Sequence, residues 1–211
     1  MSGIFYLVRH GESIYNAESR IQGHADVPLS ELGRLQGEAA AEALAGVSVD
    51  AIYSSPLLRA LDTARCIAAR HRVSLCTDPR LMEIDVGIFE GRLKSELVAE
   101  NSPEFVRWLS GDDNFTIPGG ESRRQLAERG CEALRSIAAC GHRAAVVVTH
   151  GGLLSATLRS ILKLSQPLPP FSLQNGSITR VAFDGAGEFS LLALNETEHL
   201  QAIGLSKGGD L

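Results

Sequence analysis

The chain has 211 residues, 44% of them apolar and 21% charged, with a formal net charge of −5. That length suits one domain with a real core, and the negative balance without a long basic run argues against nucleic acid or anionic membrane as partners. No apolar run reaches the roughly 18 residues of a membrane span and the N-terminus has no signal-peptide pattern, so a cytoplasmic protein is expected.

Ile4–Val8 is a short continuous apolar run, the mark of a strand buried on both faces, and it stops at Arg9-His10-Gly11-Glu12. A loop is predicted from there to Pro28. Ser30 has the position of an N-cap, with Leu32, Leu35, Ala39, Ala40, Ala43 and Leu44 at helical spacing before Gly46. Ala51–Tyr53 reads as the next strand. Ser55-Pro56 then reads as N-cap and first helical position, with Leu57, Leu61, Ala64 and Ala68 as the buried stripe and Arg59 in the first turn.

Residues 85–125 break this rhythm and are expected to form an insertion or lid with one helix over Leu93–Leu109. Ala144–Thr149 is a third buried strand, followed by His150-Gly151-Gly152 and a helix to about Leu162. Ile178–Phe183 and Phe189–Leu194 flank Asp184-Gly185-Ala186-Gly187, a hairpin signal. The pattern predicts a three-layer α/β/α sandwich with a mainly parallel sheet, an antiparallel edge hairpin and a small lid. One domain is expected over residues 1–200, with 201–211, including Gly208-Gly209, as a loose tail. Cys66, Cys76, Cys131 and Cys140 form no C-x-x-C pair and read as reduced, mostly packed thiols.

Three strands end in residues of one chemical kind: Arg9-His10, Ser54-Ser55-Pro56 leading to Arg59, and His150. In open parallel sheets ligands sit at the carboxyl ends of the strands, so these groups can converge, with Glu83 a further candidate. Two histidines, two arginines and a carboxylate suit a phosphate monoester. Guanidinium groups hold the dianion with planar paired donors. A neutral imidazole can attack phosphorus, and a carboxylic acid can protonate the leaving oxygen. A 2-His-1-carboxylate metal site at His10, His150 and Glu83 is disfavoured, because Arg9 and Arg59 would crowd the cation. His71, His142 and His199 read as surface or packing residues, His24 lies in a candidate substrate loop, and Trp108 reads as lid packing.

Leu7-Val8-Arg9-His10-Gly11-Glu12-Ser13 resembles the R-H-G signature of the histidine phosphatase superfamily, the phosphoglycerate mutase-like proteins. Asn16, Gln22-Gly23, Asp26-x-Pro28-Leu29, Ser54-Ser55-Pro56-Leu57-x-Arg59-Ala60, Thr63-Ala64, Glu83 and Thr149-His150-Gly151-Gly152 follow in the family's order, to about His199. The resemblance implies His10 as phosphorylated nucleophile, Arg9, Arg59 and His150 as the phosphoryl clamp, and Glu83 as proton donor and acceptor. It implies substrate contacts from Asn16, Gln22, Gly23 and the Gly151 amide, with no metal and no cofactor. Glu83-x-x-x-Gly87-x-x-Glu90-Gly91 and Pro118-Gly119-Gly120-Glu121-Ser122 are similar to the phosphatase branch.

The expected function is therefore a metal-independent phosphomonoesterase acting on a small phosphorylated metabolite, with neither nucleic acid nor membrane as partner and a homodimer left open. The alternatives are a 2,3-bisphosphoglycerate-dependent phosphoglycerate mutase, a phosphoprotein phosphatase and a non-catalytic binding module.

Overall fold

The computed structural model describes residues 2–164, 171–184 and 187–205. Six strands form one sheet: β1 (Gly3–Arg9), β2 (Ala51–Ser54), β3 (Leu75–Thr77), β4 (Ala144–Thr149), β5 (Ile178–Phe183) and β6 (Phe189–Glu196). Their order is β3-β2-β4-β1-β5-β6. The first four run parallel, and β5 and β6 add antiparallel pairs at one side. This is the α/β architecture that the strand–helix alternation predicts. The three-residue edge strand β3 has too short an apolar pattern to stand out in the sequence.

The helices are α1 (Ile14–Ala17), α2 (Glu31–Leu44), α3 (Leu58–Ala68), α4 (Lys94–Glu100), α5 (Pro103–Leu109), α6 (Arg123–Ala139) and α7 (Gly151–Ile161). Strand alternation divides the core in two. Phe5, Leu7, Ala145 and Val147 pack toward Leu126 and Leu134 of α6 and Leu154 and Leu158 of α7. Val8, Ile52, Val146 and Val148 pack toward Ala40 and Leu44 of α2 and Ala60, Ala64 and Ile67 of α3. Buried aliphatic side chains on both faces keep the sheet between two layers of helix.

Four local expectations need correction. The segment to Pro28 is not all loop, because Ser13 and Asn16 close a capping box that starts α1. The helix expected over Leu93–Leu109 is two. Asn101 adopts φ +50°, and Ser102 then caps a fresh start at Pro103, whose ring cannot continue the preceding helix. Ser55-Pro56 does not open α3. That helix begins at Leu58, whose N–H donates to Asp26 Oδ1 at 2.7 Å. Nor are the thiols mostly packed: Cys131 is buried, Cys66 is half-buried, and Cys76 and Cys140 are exposed.

Ser30 caps α2 as expected, accepting the Gly33 N–H at 3.0 Å. That helix stops at Leu44, with Ala45 rather than Gly46 as C-cap. The strands of the hairpin form, whereas Gly185-Ala186 of its turn and Gly208-Gly209 of the tail lie outside the described residues. Leu200, just before the expected tail, is fully buried, whereas Gln201, Ala202, Gly204 and Leu205 are exposed. No described helix is long and apolar enough to cross a membrane.

Candidate active site

The register of the sheet brings the two histidines together. Arg9 of β1 lies opposite Thr149 of β4, so the next residues, His10 and His150, leave the sheet side by side. Their ring centroids are 5.0 Å apart, edge to face. Ser54 of β2 lies opposite Val148, which places Ser55 beside the same point; its Oγ is 2.8 Å from His150 Nε2.

His10 is buried, and its Nδ1 lies 2.6 Å from the Gly11 carbonyl. A carbonyl oxygen only accepts, so Nδ1 carries the proton and Nε2 keeps the basic lone pair. His150 is wholly buried. Burial, followed by the positive charge of Arg59 and then the neighbouring His10, Arg129 and Arg9, holds its pKa well below that of an ordinary histidine. It is therefore a neutral ring at physiological pH.

Arg9 and Arg59 are both buried beside these rings. Arg9 Nη1 donates to the Leu173 carbonyl. Arg59 donates to the carbonyls of Gly23 (2.9 Å) and Ala25 (2.8 Å), fastening the loop after α1 to α3. Gly23 sits at φ +53°, a conformation that favours glycine. Asn16 Oδ1 accepts from Asn175 Nδ2 (3.2 Å), which also donates to the His10 carbonyl (3.1 Å). Gln22 Oε1 accepts the Ser13 hydroxyl at 2.6 Å.

Glu83 is turned onto the start of α7. Its Oε2 accepts from Gly152 N (3.0 Å) and its Oε1 from Leu153 N (3.0 Å) and Ile84 N (2.8 Å). A carboxylate at a helix N-terminus meets both the dipole and unsatisfied N–H groups. Gly151, the first residue of that helix, follows His150 directly.

All nine residues singled out in the sequence thus gather around one centre. Arg129, which the sequence does not single out, joins them there. Arg129 of α6 donates to the carbonyls of Arg80 (2.9 Å), Met82 (2.5 Å) and Glu83 (2.7 Å) and pairs with Glu121. His24 Nε2 lies 2.8 Å from the Glu83 carbonyl, while Glu90 accepts the His24 backbone N–H at 2.9 Å. Glu90 therefore holds the loop, and Glu83 is the carboxylate facing the helix that follows His150. A cavity of about 590 Å³ is lined by Arg9, Gly151, Gly152, Trp108, Arg123 and Arg159, among others. Trp108 packs against Phe89 and Phe105, with the Arg123 guanidinium over its ring. Among the described residues, no group of three or more His, Cys, Asp and Glu side chains is arranged to hold a metal ion.

A mixed α/β sheet whose parallel strands end at two histidines and one buried arginine, with a second buried arginine from α3 and a carboxylate beside them, defines an enzyme built to handle a phosphate ester. Residues 5–197 match the family model described as histidine phosphatase superfamily (branch 1). The chain belongs to that superfamily. A curated relative from Proteus mirabilis, named probable phosphoglycerate mutase GpmB, is 34% identical, with 96% of this chain and 97% of that protein covered. Among solved structures, a mycobacterial glucosyl-3-phosphoglycerate phosphatase complexed with VO3 has 33% identity and a TM-score of 0.82, covering 92% of this chain and 98% of that one. A phosphoserine phosphatase from Entamoeba histolytica, complexed with 3-phosphoglyceric acid, has 30% identity and a TM-score of 0.81, covering 94% and 99%. With phosphatases as its structural neighbours, the chain is a phosphatase of this superfamily.

Proposed function

We propose that this enzyme is a metal-independent phosphomonoesterase that removes the phosphoryl group of a small phosphorylated metabolite through a phosphohistidine on His10. The observation that carries the reading is the 2.6 Å contact of His10 Nδ1 with the Gly11 carbonyl, which leaves Nε2 as nucleophile next to His150 and two buried guanidinium groups.

Nε2 of neutral His10 attacks phosphorus. The N–P bond forms as the P–O bond to the leaving group breaks, and Glu83 in its acid form protonates that oxygen. Water then attacks the phosphohistidine, the N–P bond breaks, and Glu83 takes the proton from the water. Arg9, Arg59 and His150 hold the peripheral oxygens throughout, where charge stabilisation counts most. Asn16, Gln22, Gly23 and the Gly151 amide complete the substrate contacts, and no cofactor takes part. Spontaneous monoester hydrolysis is so slow that these groups together must lower the barrier by about 20 kcal/mol or more.

The neighbours named above support a phosphorylated carboxylic acid, such as a phosphoglycerate derivative or phosphoserine, as the substrate class. The name of the Proteus relative favours phosphoglycerate mutase as a second reading. We read residues 1–200 as one catalytic unit with 85–125 as its lid, in a cytoplasmic enzyme.

The test is phosphate release from phosphoserine, 3-phosphoglycerate, glucosyl-3-phosphoglycerate, α-ribazole phosphate and sugar phosphates, in EDTA, with His10→Ala as control. Release by the wild type alone supports the reading, and the fastest substrate identifies the branch. Equal release by the variant removes His10 as nucleophile. No release, with isomerisation of phosphoglycerate that requires 2,3-bisphosphoglycerate, makes the chain a mutase.

A further inference from the structure

Ser55 stands at the end of β2, fully buried, in a place where it does not cap the helix that its Ser-Pro sequence suggests. Among the described residues its Oγ has two hydrogen-bond neighbours: the Leu57 N–H, which donates to it at 3.3 Å, and His150 Nε2 at 2.8 Å. We infer that Ser55 is a positioning residue that fixes the tautomer of His150, making this neutral ring a hydrogen-bond donor to the phosphoryl group. The inference rests on the reading of His150 as part of the phosphoryl clamp.

The Leu57 N–H donates to one of the two lone pairs of Oγ, and among the described residues His150 Nε2 is the hydrogen-bond neighbour that can accept the buried hydroxyl's one hydrogen. Given to His150 Nε2, it makes that nitrogen an acceptor and places the ring proton on Nδ1. Among the described residues, Nδ1 has no hydrogen-bond partner although it is buried. It is the nitrogen left to meet a phosphoryl oxygen. The opposite tautomer would put a lone pair there, against an anion, and the clamp would lose a donor and gain a repulsion.

A second proton on the ring is no substitute. Burial first, and then Arg59 from α3, His10 from the end of β1, Arg129 from α6 and Arg9, disfavour an imidazolium at this position. A neutral donor adds a hydrogen bond without adding charge, and it is the hydroxyl of Ser55 that selects it.

The test is long-range proton–nitrogen correlation NMR on the full chain labelled at histidine nitrogen, at pH 7.5, with His150→Gln assigning the signals. The expected spectrum has His150 protonated at Nδ1 and unprotonated at Nε2. Ser55→Ala should shift the ring toward the Nε2–H form and lower kcat/KM for the best substrate by about tenfold or more, mostly in kcat. Ser55→Thr, which keeps the hydroxyl, should restore both. A wild-type ring protonated at Nε2 overturns the inference whether or not any variant folds, and so does Ser55→Ala with the Nδ1–H form intact. If the tautomer is as expected but no phosphate ester is hydrolysed, the phosphomonoesterase reading fails while the tautomer assignment stands.

Discussion

Glu83 Oε2 lies 3.0 Å from the backbone nitrogen of Gly152, the second residue of the helix that follows His150. Glu83 and His150 are thereby tied to one turn of chain. A Cβ at residue 152 would stand 2.6 Å from Glu83 Oε1, a contact relieved only by moving the carboxylate, which is the far end of a flexible side chain. Gly152→Ala should therefore keep the fold, within about 1 kcal/mol of wild-type stability, while lowering kcat by about tenfold or more. Steady-state kinetics beside urea unfolding check it. A variant of full activity would mean that the cap is not the working position of Glu83.

Arg129 holds the other side of the same residue. Its guanidinium bridges three carbonyls between Arg80 and Glu83 and is itself held by Glu121, whose carboxylate also accepts the Asp85 N–H at 2.9 Å. Arg129→Ala should cost about 1–2 kcal/mol of stability, because three half-buried carbonyls lose their donor. It should lower kcat more than it changes KM. Arg129→Lys should recover little of either, since an ammonium cannot reproduce the planar fork. Full recovery with lysine would show that charge rather than geometry is what α6 supplies.

The glycine of the Arg-His-Gly sequence is a packing requirement as well as a family mark. A Cβ on Gly11 would lie 2.1 Å from the Gly33 carbonyl oxygen, which is backbone at the first turn of α2 and cannot rotate away. Gly11→Ala should destabilise by about 3 kcal/mol, the upper end of ordinary overpacking, and displace the carbonyl that orients His10. Thermal unfolding and kcat should fall together. Unchanged stability would refute the close approach.

How much of this was legible depended on how local each signal is. The buried strand before Arg9, the Ser30 cap and the strand ending at His150 are written in a few neighbouring residues, and they emerge where expected. The convergence of His10 and His150 followed from strand ends in a parallel sheet. Ser55-Pro56 misleads because a hydroxyl that could cap its own helix is taken by a ring 95 residues away, while the helix borrows Asp26. Arg129 on α6 is an ordinary amphipathic-helix arginine until the Glu83 segment is laid beneath it. The break at Asn101 was a different failure: Ser102-Pro103 is a readable cap signal that the apolar spacing across the segment concealed.

His150 also makes stability depend on pH, with a definite sign. The unfolded chain titrates this ring near 6.5, whereas the folded ring titrates well below it. Above that value neither state binds the proton, and the group makes no difference. As pH falls below about 6.5 the unfolded chain gains a proton that the folded protein refuses, so folding stability declines, by up to about 1.4 kcal/mol per pH unit until the folded pKa is reached. His150→Gln removes this response. Urea unfolding at pH 8.5, 7.5, 6.5 and 5.5 should show the wild type losing stability relative to the variant across the two lower values, with the gap unchanged between pH 7.5 and 8.5. A gap that stays constant down to pH 5.5 would mean that the folded ring takes up its proton as readily as the unfolded one, and that burial and the surrounding arginines do not keep it neutral.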